Sequence, residues 1–203
     1  MITLYHSVAS RGFVPLWLLE EMGVPFEIAD TDIRSGGQKA PDYLKINPMG
    51  KVPALRDGET IVTEVPAICL YLADKYSYGT LAPRIDEPER GAYLRWTVFA
   101  TAVFEPAAYL GTTDPAQARG VGWGTQQAML GTLEQALTPG PWLLGERFSA
   151  ADVVLGGVFA IAYFNKRIPA RAVFDTYNAR LGERPAFKRA AERNWPPELF
   201  KRP

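Results

Sequence analysis

The spacing of apolar positions changes character once along this chain. Ahead of residue 77 two periods are mixed. Ile2–Tyr5 and Phe26–Ala29 are short β-type runs, and between them Phe13, Leu16 and Trp17 through to Met22 belong to a helix with an apolar face at three-to-four spacing. Gly23 and Pro25 stop that helix. A strand–helix–strand unit this short predicts a parallel pair with a right-handed crossover. Asp30–Ala40 is polar and holds Gly36-Gly37, hence a loop, and Pro41–Lys45 fits one helical turn. Ala54–Arg56 and Thr60–Val62 flank Asp57-Gly58, a strong hairpin signal. Pro66 then opens a helix running to Tyr76, at the position where its missing N–H costs nothing. After residue 90 the β signals stop. Arg90–Leu110, Pro115–Leu137, Ala150–Asn165 and Ala170–Arg193 are helical patterns separated by Gly and Pro. The expectation is an α/β domain over 1–77, a linker over 78–89 carrying Gly79, Pro83 and Pro88, and an all-α domain over 90–203.

One helix start is specified in detail. Ser149-Ala150-Ala151-Asp152 fits a capping box, with Phe148 and Val153 placed as a hydrophobic staple. Loss of the Ser149 cap alone should cost about 1 kcal/mol. Pro106 interrupts the pattern that holds Trp96, Phe99, Phe104 and Tyr109, which predicts a kink.

Composition excludes more than it selects. Net charge is zero over 203 residues, so nothing steers the chain toward nucleic acid or a membrane surface. The longest apolar run, Val153–Phe164, is too short to span a bilayer. The single cysteine, Cys69, lies on an apolar helix face, reads as a core residue and suits a reducing compartment. No signal-peptide pattern is visible at Met1–Tyr5. A cytoplasmic protein is expected. With one histidine, His6, and no metal-ligand spacing, metal or histidine chemistry has little material.

The densest local instructions run from Ile46 to Tyr76. Asn47-Pro48-Met49-Gly50 is a sharp turn, and Val52-Pro53 enters a strand at the one common site for a cis peptide. The pattern N-P-x-G-x-V-P-x-L, then a hairpin, then T-E-x-x-A-I-x-x-Y-L resembles the amino-terminal domain of the glutathione S-transferase family. The box at Ser149 resembles that family's core helix, so the likeness covers both domains. The resemblance implies a thioredoxin-like domain with a cis-proline loop, an all-helical second domain lining an electrophile pocket, glutathione as co-substrate, no metal, and a homodimer. It implies a transferase of bacterial type that presents glutathione thiolate to a small electrophile.

Site residues follow from the same resemblance. The thiol-activating group belongs where the first helix begins, at Ala9-Ser10-Arg11-Gly12. Ser10 fits both as that donor and as a plain N-cap. Arg11 and Tyr5 are alternatives, with Ser7 as a fallback; the cysteine of another branch is matched by Arg11, so its chemistry is absent. Val52, before Pro53, resembles the residue whose backbone pairs with the cysteinyl part of glutathione. Glu64 resembles the acid that meets the γ-glutamyl ammonium. Gln38 or Lys39 matches the position that reaches the glycyl carboxylate. Phe104 and Tyr109 are candidates for the electrophile pocket, although an aromatic stripe is as readily core. One residue departs from the family pattern: Val65 stands where Ser or Thr usually binds the γ-glutamyl carboxylate. Its N–H and the helix dipole remain as an anion site. The lost charge-assisted bond is worth about 1.5–3 kcal/mol, which predicts weakened glutathione binding. Two other readings stay open: a glutathione-dependent isomerase or disulfide reductase on the same scaffold, and a non-catalytic interaction protein whose glutathione site has decayed.

Overall fold

Buried and half-buried residues alternate along Ile2–His6, so this strand, β1, buries one face more deeply than the other. In the computed structural model, which describes residues 1–111 and 114–197, β1 pairs in parallel with β2 (Phe26–Asp30), from Ile2↔Phe26 to His6↔Asp30. On its other edge it pairs antiparallel with β3 (Ala54–Asp57), which forms the hairpin with β4 (Thr60–Thr63). The order is β2-β1-β3-β4. Helix α1 (Phe13–Met22) makes the crossover and ends at Gly23, whose left-handed φ of 65° lets its N–H reach the Leu19 carbonyl. A single turn, α2 (Pro41–Leu44), precedes the hairpin, and α3 (Val65–Tyr76) follows it.

Asp57 fastens the hairpin to α3. Its Oδ2 accepts from Lys75 Nζ at 2.6 Å, Tyr71 OH at 2.9 Å and Tyr76 OH at 2.6 Å. Burial pushes the carboxyl up, but the bonds from Lys75, Tyr76 and Tyr71 outweigh it and hold it at about 2. The stabilisation is therefore present above the ordinary value of 3.8 and is lost as pH falls toward 2.

The expected helix over Ala170–Arg193 is two helices, α9 (Ala172–Glu183) and α10 (Pro185–Asn194). Pro185 forces the change: Arg184 is extended (φ −66°, ψ 127°), as a residue before proline must be, and Pro185 starts the next helix at its first turn. The break is also a boundary. One unit comprises Met1–Tyr76 together with the chain from Arg184 onward, and the other runs Ser77–Glu183. The range 90–203, expected as one helical domain, is thus divided: α10 packs on α1, and residues 112–113 and 198–203 of that range lie outside the described residues.

What carries α10 back is legible in its side chains. Phe187 meets Phe13 and Trp17 edge-on at 5.2 and 4.9 Å between centroids, and Trp195 lies 4.6 Å from Phe13. Arg184 clamps Glu21 through Nε (2.6 Å) and Nη2 (2.8 Å), while Arg189 and Arg193 both reach Glu20 at 2.7 Å. Sandwiched by α3 and α10, α1 is buried at every position from Phe13 to Leu19.

The second unit is helical. Its first pattern divides at Pro106 into α4 (Arg90–Phe99), a π-helical turn (Ala100–Phe104) and α5 (Glu105–Tyr109). The missing proline N–H leaves the normal ladder incomplete and the helix widens there, which is the form the expected kink takes. Next come α6 (Pro115–Arg119), α7 (Gln126–Leu137), capped by Thr125, and α8 (Ala150–Phe164). The capping box is formed: the Ser149 hydroxyl accepts from Ala151 N–H at 3.2 Å and Asp152 Oδ2 accepts from Ser149 N–H at 3.0 Å. Phe159 on α8 centres the core, with Phe104, Phe174 and Tyr177 around it. The stretch read as a linker belongs to this unit, pinned by Arg147 to the Gly79 and Thr80 carbonyls and to Glu87.

Candidate functional site

Strand register brings the candidates of the first unit to one end of the sheet. Tyr5 of β1 lies opposite Ala54, the first residue of β3, and Ala54 lies opposite Thr63, the last of β4. The Ser7–Ser10 loop therefore leaves the sheet beside the entry of Val52-Pro53 and the exit into Glu64-Val65. His6↔Asp30 brings the loop after β2, with Gln38 and Lys39, to the same end. Ligands of open α/β sheets bind at such an end, beyond the carboxyl termini of parallel strands.

The Val52–Pro53 peptide is cis. Asn47, itself buried, organises the turn before it: Nδ2 donates to the Lys51 carbonyl at 2.8 Å and Oδ1 accepts from Met49 N–H at 3.1 Å. Tyr43 OH donates to the same Lys51 carbonyl at 2.6 Å, and burial pushes that phenol up to about 12. The tyrosine ring also stands edge-on to Tyr5 at 5.9 Å, so Tyr5 is engaged in packing. Gly50 closes the turn at φ 58°, where a Cβ would sit 2.7 Å from Lys39 Nζ. That contact docks the 37–39 turn against 47–51, and Lys39 Nζ donates to the Met49 carbonyl at 3.0 Å. Gln38 Oε1 is buried with no partner, an acceptor available to a donor at this position.

Glu64 adopts φ 69°, and its carbonyl accepts from Ile68 N–H to begin α3. A non-glycine residue in the left-handed region costs energy and clusters at ligand sites. The conformation leaves its side chain exposed at the head of α3. There the Val65 and Ala67 N–H groups have no helical acceptor and Pro66 supplies none. Val65 is buried and offers backbone only.

Ser10 stands three residues before Phe13, the first residue of α1. Its hydroxyl donates to the Ser7 carbonyl at 2.6 Å and accepts from Gly12 N–H at 3.0 Å. The N-cap position of α1 is Gly12, with no side-chain cap, so the expected Ser10 N-cap is not formed: the hydroxyl closes the turn ahead of the helix instead, and its one proton is engaged there. Arg11 follows in the turn, its carbonyl accepting from Val14 N–H. Ala9 is the second residue here with a positive φ, 56°.

Two residues that sequence reasoning passed over hold this loop. His6 is buried, and its Nε2–H donates to Asn194 Oδ1 at 2.8 Å. Burial lowers its pKa, against the opposing pull of Asn194 and Asp30, which favours the neutral ring. The Asn194 carbonyl accepts from Ala9 N–H at 2.7 Å. Nothing local marks Asn194, because its partners lie more than 180 residues away; an asparagine ending a helix before Trp195 is the only hint.

The second unit corrects one expectation. Phe104, a candidate for a pocket wall, closes the π-helical turn with no exposed surface and packs on Phe159 in the core. Tyr109 is half-buried under the Arg167 guanidinium, 5.3 Å from its ring centroid. Cys69 is fully buried, which pushes its thiol up and removes it as a nucleophile.

A mixed sheet of this order with a cis-proline at the mouth of β3, a strained residue heading α3 and a polar loop opening α1 defines a thioredoxin-like domain, here with a helical companion. Comparison makes the class specific. Residues 1–74 match the model of the glutathione S-transferase N-terminal domain, and residues 114–171 match that of the C-terminal domain. Glutathione S-transferase hmp2 of Hypomyces subiculosus is 41% identical over 109 residues, which is 50% of this chain and 51% of that protein. The disulfide-bond oxidoreductase YfcG of Escherichia coli is 30% identical over 169 residues, covering 75% of this chain and 76% of that one. The glutathione transferase URE2P6 of Phanerochaete chrysosporium, solved in complex with oxidized glutathione, superposes with a TM-score of 0.77 at 25% identity, covering 95% and 96% of the two chains. The chain belongs to the glutathione S-transferase family.

Proposed function

We propose that the protein is a glutathione transferase in which the Ser10 hydroxyl stabilises the glutathione thiolate for attack on a small electrophile. The observation that carries this is the placement of Ser10: a hydroxyl at the start of α1, beside the mouth formed by Val52-Pro53 and Glu64-Val65. In this reading Val52 pairs with the cysteinyl backbone, Glu64 with the γ-glutamyl ammonium, the head of α3 with its carboxylate, and Gln38 or Lys39 with the glycyl end. Arg11 adds positive charge near the sulfur.

The energetics are modest. A free thiol of pKa about 8.5 is only about 3% thiolate at pH 7. Bringing it to about 6.5 needs about 2.7 kcal/mol of differential stabilisation. Ser10 must first release the Ser7 carbonyl, exchanging a neutral bond worth about 1 kcal/mol for a charge-assisted one worth about 1.5–3 kcal/mol. The exchange yields about 0.5–2 kcal/mol, and the positive end of α1 adds the remainder. The Gly12 N–H, donating to Ser10 Oγ, polarises the hydroxyl in the same direction.

Ser10→Ala is expected to raise the pKa of bound glutathione by about one unit and to lower turnover about tenfold. Titrating thiolate ultraviolet absorbance against pH in both proteins checks it. An unchanged pKa removes Ser10 from the chemistry.

The relation to YfcG favours a second reading, reduction of disulfides. Because Cys69 is buried, any such reaction runs through glutathione sulfur: two thiols reduce one disulfide, releasing two thiols and glutathione disulfide. The two readings separate by whether glutathione ends in a thioether or a disulfide.

A homodimer and a cytoplasmic setting belong to the same reading. Gly91, Leu94, Arg95 and Val98 form an exposed stripe on α4, with Leu94 and Val98 its apolar pair. Sedimentation of the full chain is expected to show two copies, and monomer at micromolar concentration ends that part of the proposal. Cys69 is the one thiol and is unbridged, as a reducing compartment keeps it. Among the described residues, no helix is long and apolar enough to cross a membrane.

A further inference from the structure

We propose that Asn194, the last residue of α10, is a positioning residue that sets the Ser10 hydroxyl. The inference rests on the Ser10 reading above and adds the group that fixes it.

Asn194 is fully buried and touches the loop twice. Its carbonyl accepts from Ala9 N–H at 2.7 Å, and its Oδ1 accepts from His6 Nε2–H at 2.8 Å. These bonds bracket the segment from the end of β1 to the residue before Ser10. Ala9 sits at φ 56°, a conformation that L side chains disfavour and that relaxes unless something outside the loop holds it. The Asn194 carbonyl is that hold.

The side-chain bond reaches Ser10 by a second route. The imidazole of His6 packs against Gly12, so close that a Cβ on Gly12 would stand 2.5 Å from His6 Cδ2. The Gly12 N–H in turn donates to Ser10 Oγ. Asn194 thus fixes His6, His6 fixes Gly12, and Gly12 fixes the acceptor side of the serine hydroxyl. Among the described residues the bond to His6 is the one side-chain hydrogen bond that Asn194 makes, its Nδ2 being buried with no partner there. Helix α10 gives the anchor stiffness, because Arg184, Arg189 and Arg193 lock it to Glu21 and Glu20.

The test compares the parent with Asn194→Leu, Asn194→Asp, Ser10→Ala and the Asn194→Leu/Ser10→Ala double variant. The readouts are the pKa of bound glutathione, from thiolate absorbance, and kcat separately from KM for glutathione. Asn194→Leu is expected to raise the thiol pKa by about one unit and to lower kcat about tenfold, with KM nearly constant. In the Ser10→Ala background it is expected to add nothing. Asn194→Asp, which keeps the acceptor for His6, is expected to restore most of the shift. Should the leucine variant not fold, His6→Leu removes the same bond from its other side and is read identically. An unchanged thiol pKa in Asn194→Leu alongside a raised one in Ser10→Ala overturns the positioning role and leaves Ser10 in place. No shift in Ser10→Ala overturns both. Additive shifts in the double variant show that Asn194 acts by another route and overturn the proposal.

Discussion

Replacing Asp152 with alanine is expected to destabilise the helical unit by about 3–5 kcal/mol, the scale for stripping a partner from a buried polar network. The carboxylate does more than close its capping box. Its Oδ1 accepts from Leu143 N–H at 2.9 Å and Tyr177 OH at 3.2 Å, while Oδ2 serves Ser149. It is fully buried, so alanine leaves four donors without this acceptor, the Leu143 N–H, the Tyr177 hydroxyl and both the N–H and the hydroxyl of Ser149, each worth about 1–3 kcal/mol before relaxation. Partial relaxation brings the sum into the stated range. Asparagine keeps one acceptor oxygen and should retain about half of the stability. Urea unfolding followed by circular dichroism decides it: a loss below 1 kcal/mol in the alanine variant would falsify the network's role.

The second large effect lies in the other unit. Trp17 has no exposed surface, stacks on Phe13 at 6.0 Å and receives Phe187 edge-on at 4.9 Å. Its indole N–H donates to Glu21 Oε1 at 2.8 Å, the oxygen that Arg184 also holds. Trp17→Ala should therefore cost about 3–5 kcal/mol through lost burial and the cavity left behind. It should also loosen α10 first, because the indole supports both the aromatic and the ionic attachment. Hydrogen exchange is the direct measurement. Amides of Ala190–Asn194 are expected to lose protection ahead of the sheet; exchange at the parent rate in α10 would show that the arginines hold the helix unaided.

How much of this was legible beforehand depended on range along the chain. The hairpin at Asp57-Gly58, the proline entry at Val52-Pro53, the stop at Gly23 and the box at Ser149 are each written within a few residues, and each formed where its pattern stood. The cap at Ser149 was visible, but its larger contribution was not, because Leu143 and Tyr177 meet Asp152 only in the folded core. Periodicity joined α9 to α10, and Pro185 separated them. Phe104 looked like pocket lining because its spacing carries no information about facing; it closes the π-helical turn inside the core. At the candidate site, Ser10 was singled out by the family resemblance at the start of α1, and its hydroxyl lies in the turn ahead of that helix. Asn194 was invisible because its partner His6 is 188 residues away.

The division of the chain into units also sets an order of assembly. Everything from Ser77 to Glu183 leaves the ribosome before α10 exists, so the helical unit can complete its core while the sheet unit is still missing a wall. Until Arg184 and its neighbours emerge, Glu20 and Glu21 face no arginine and Trp17 has no Phe187. A nascent chain interrupted in that interval carries a tryptophan without its Phe187 cover beside two acids without their arginines. If Asn194 positions Ser10 as proposed, thiol activation requires a chain translated at least to Asn194.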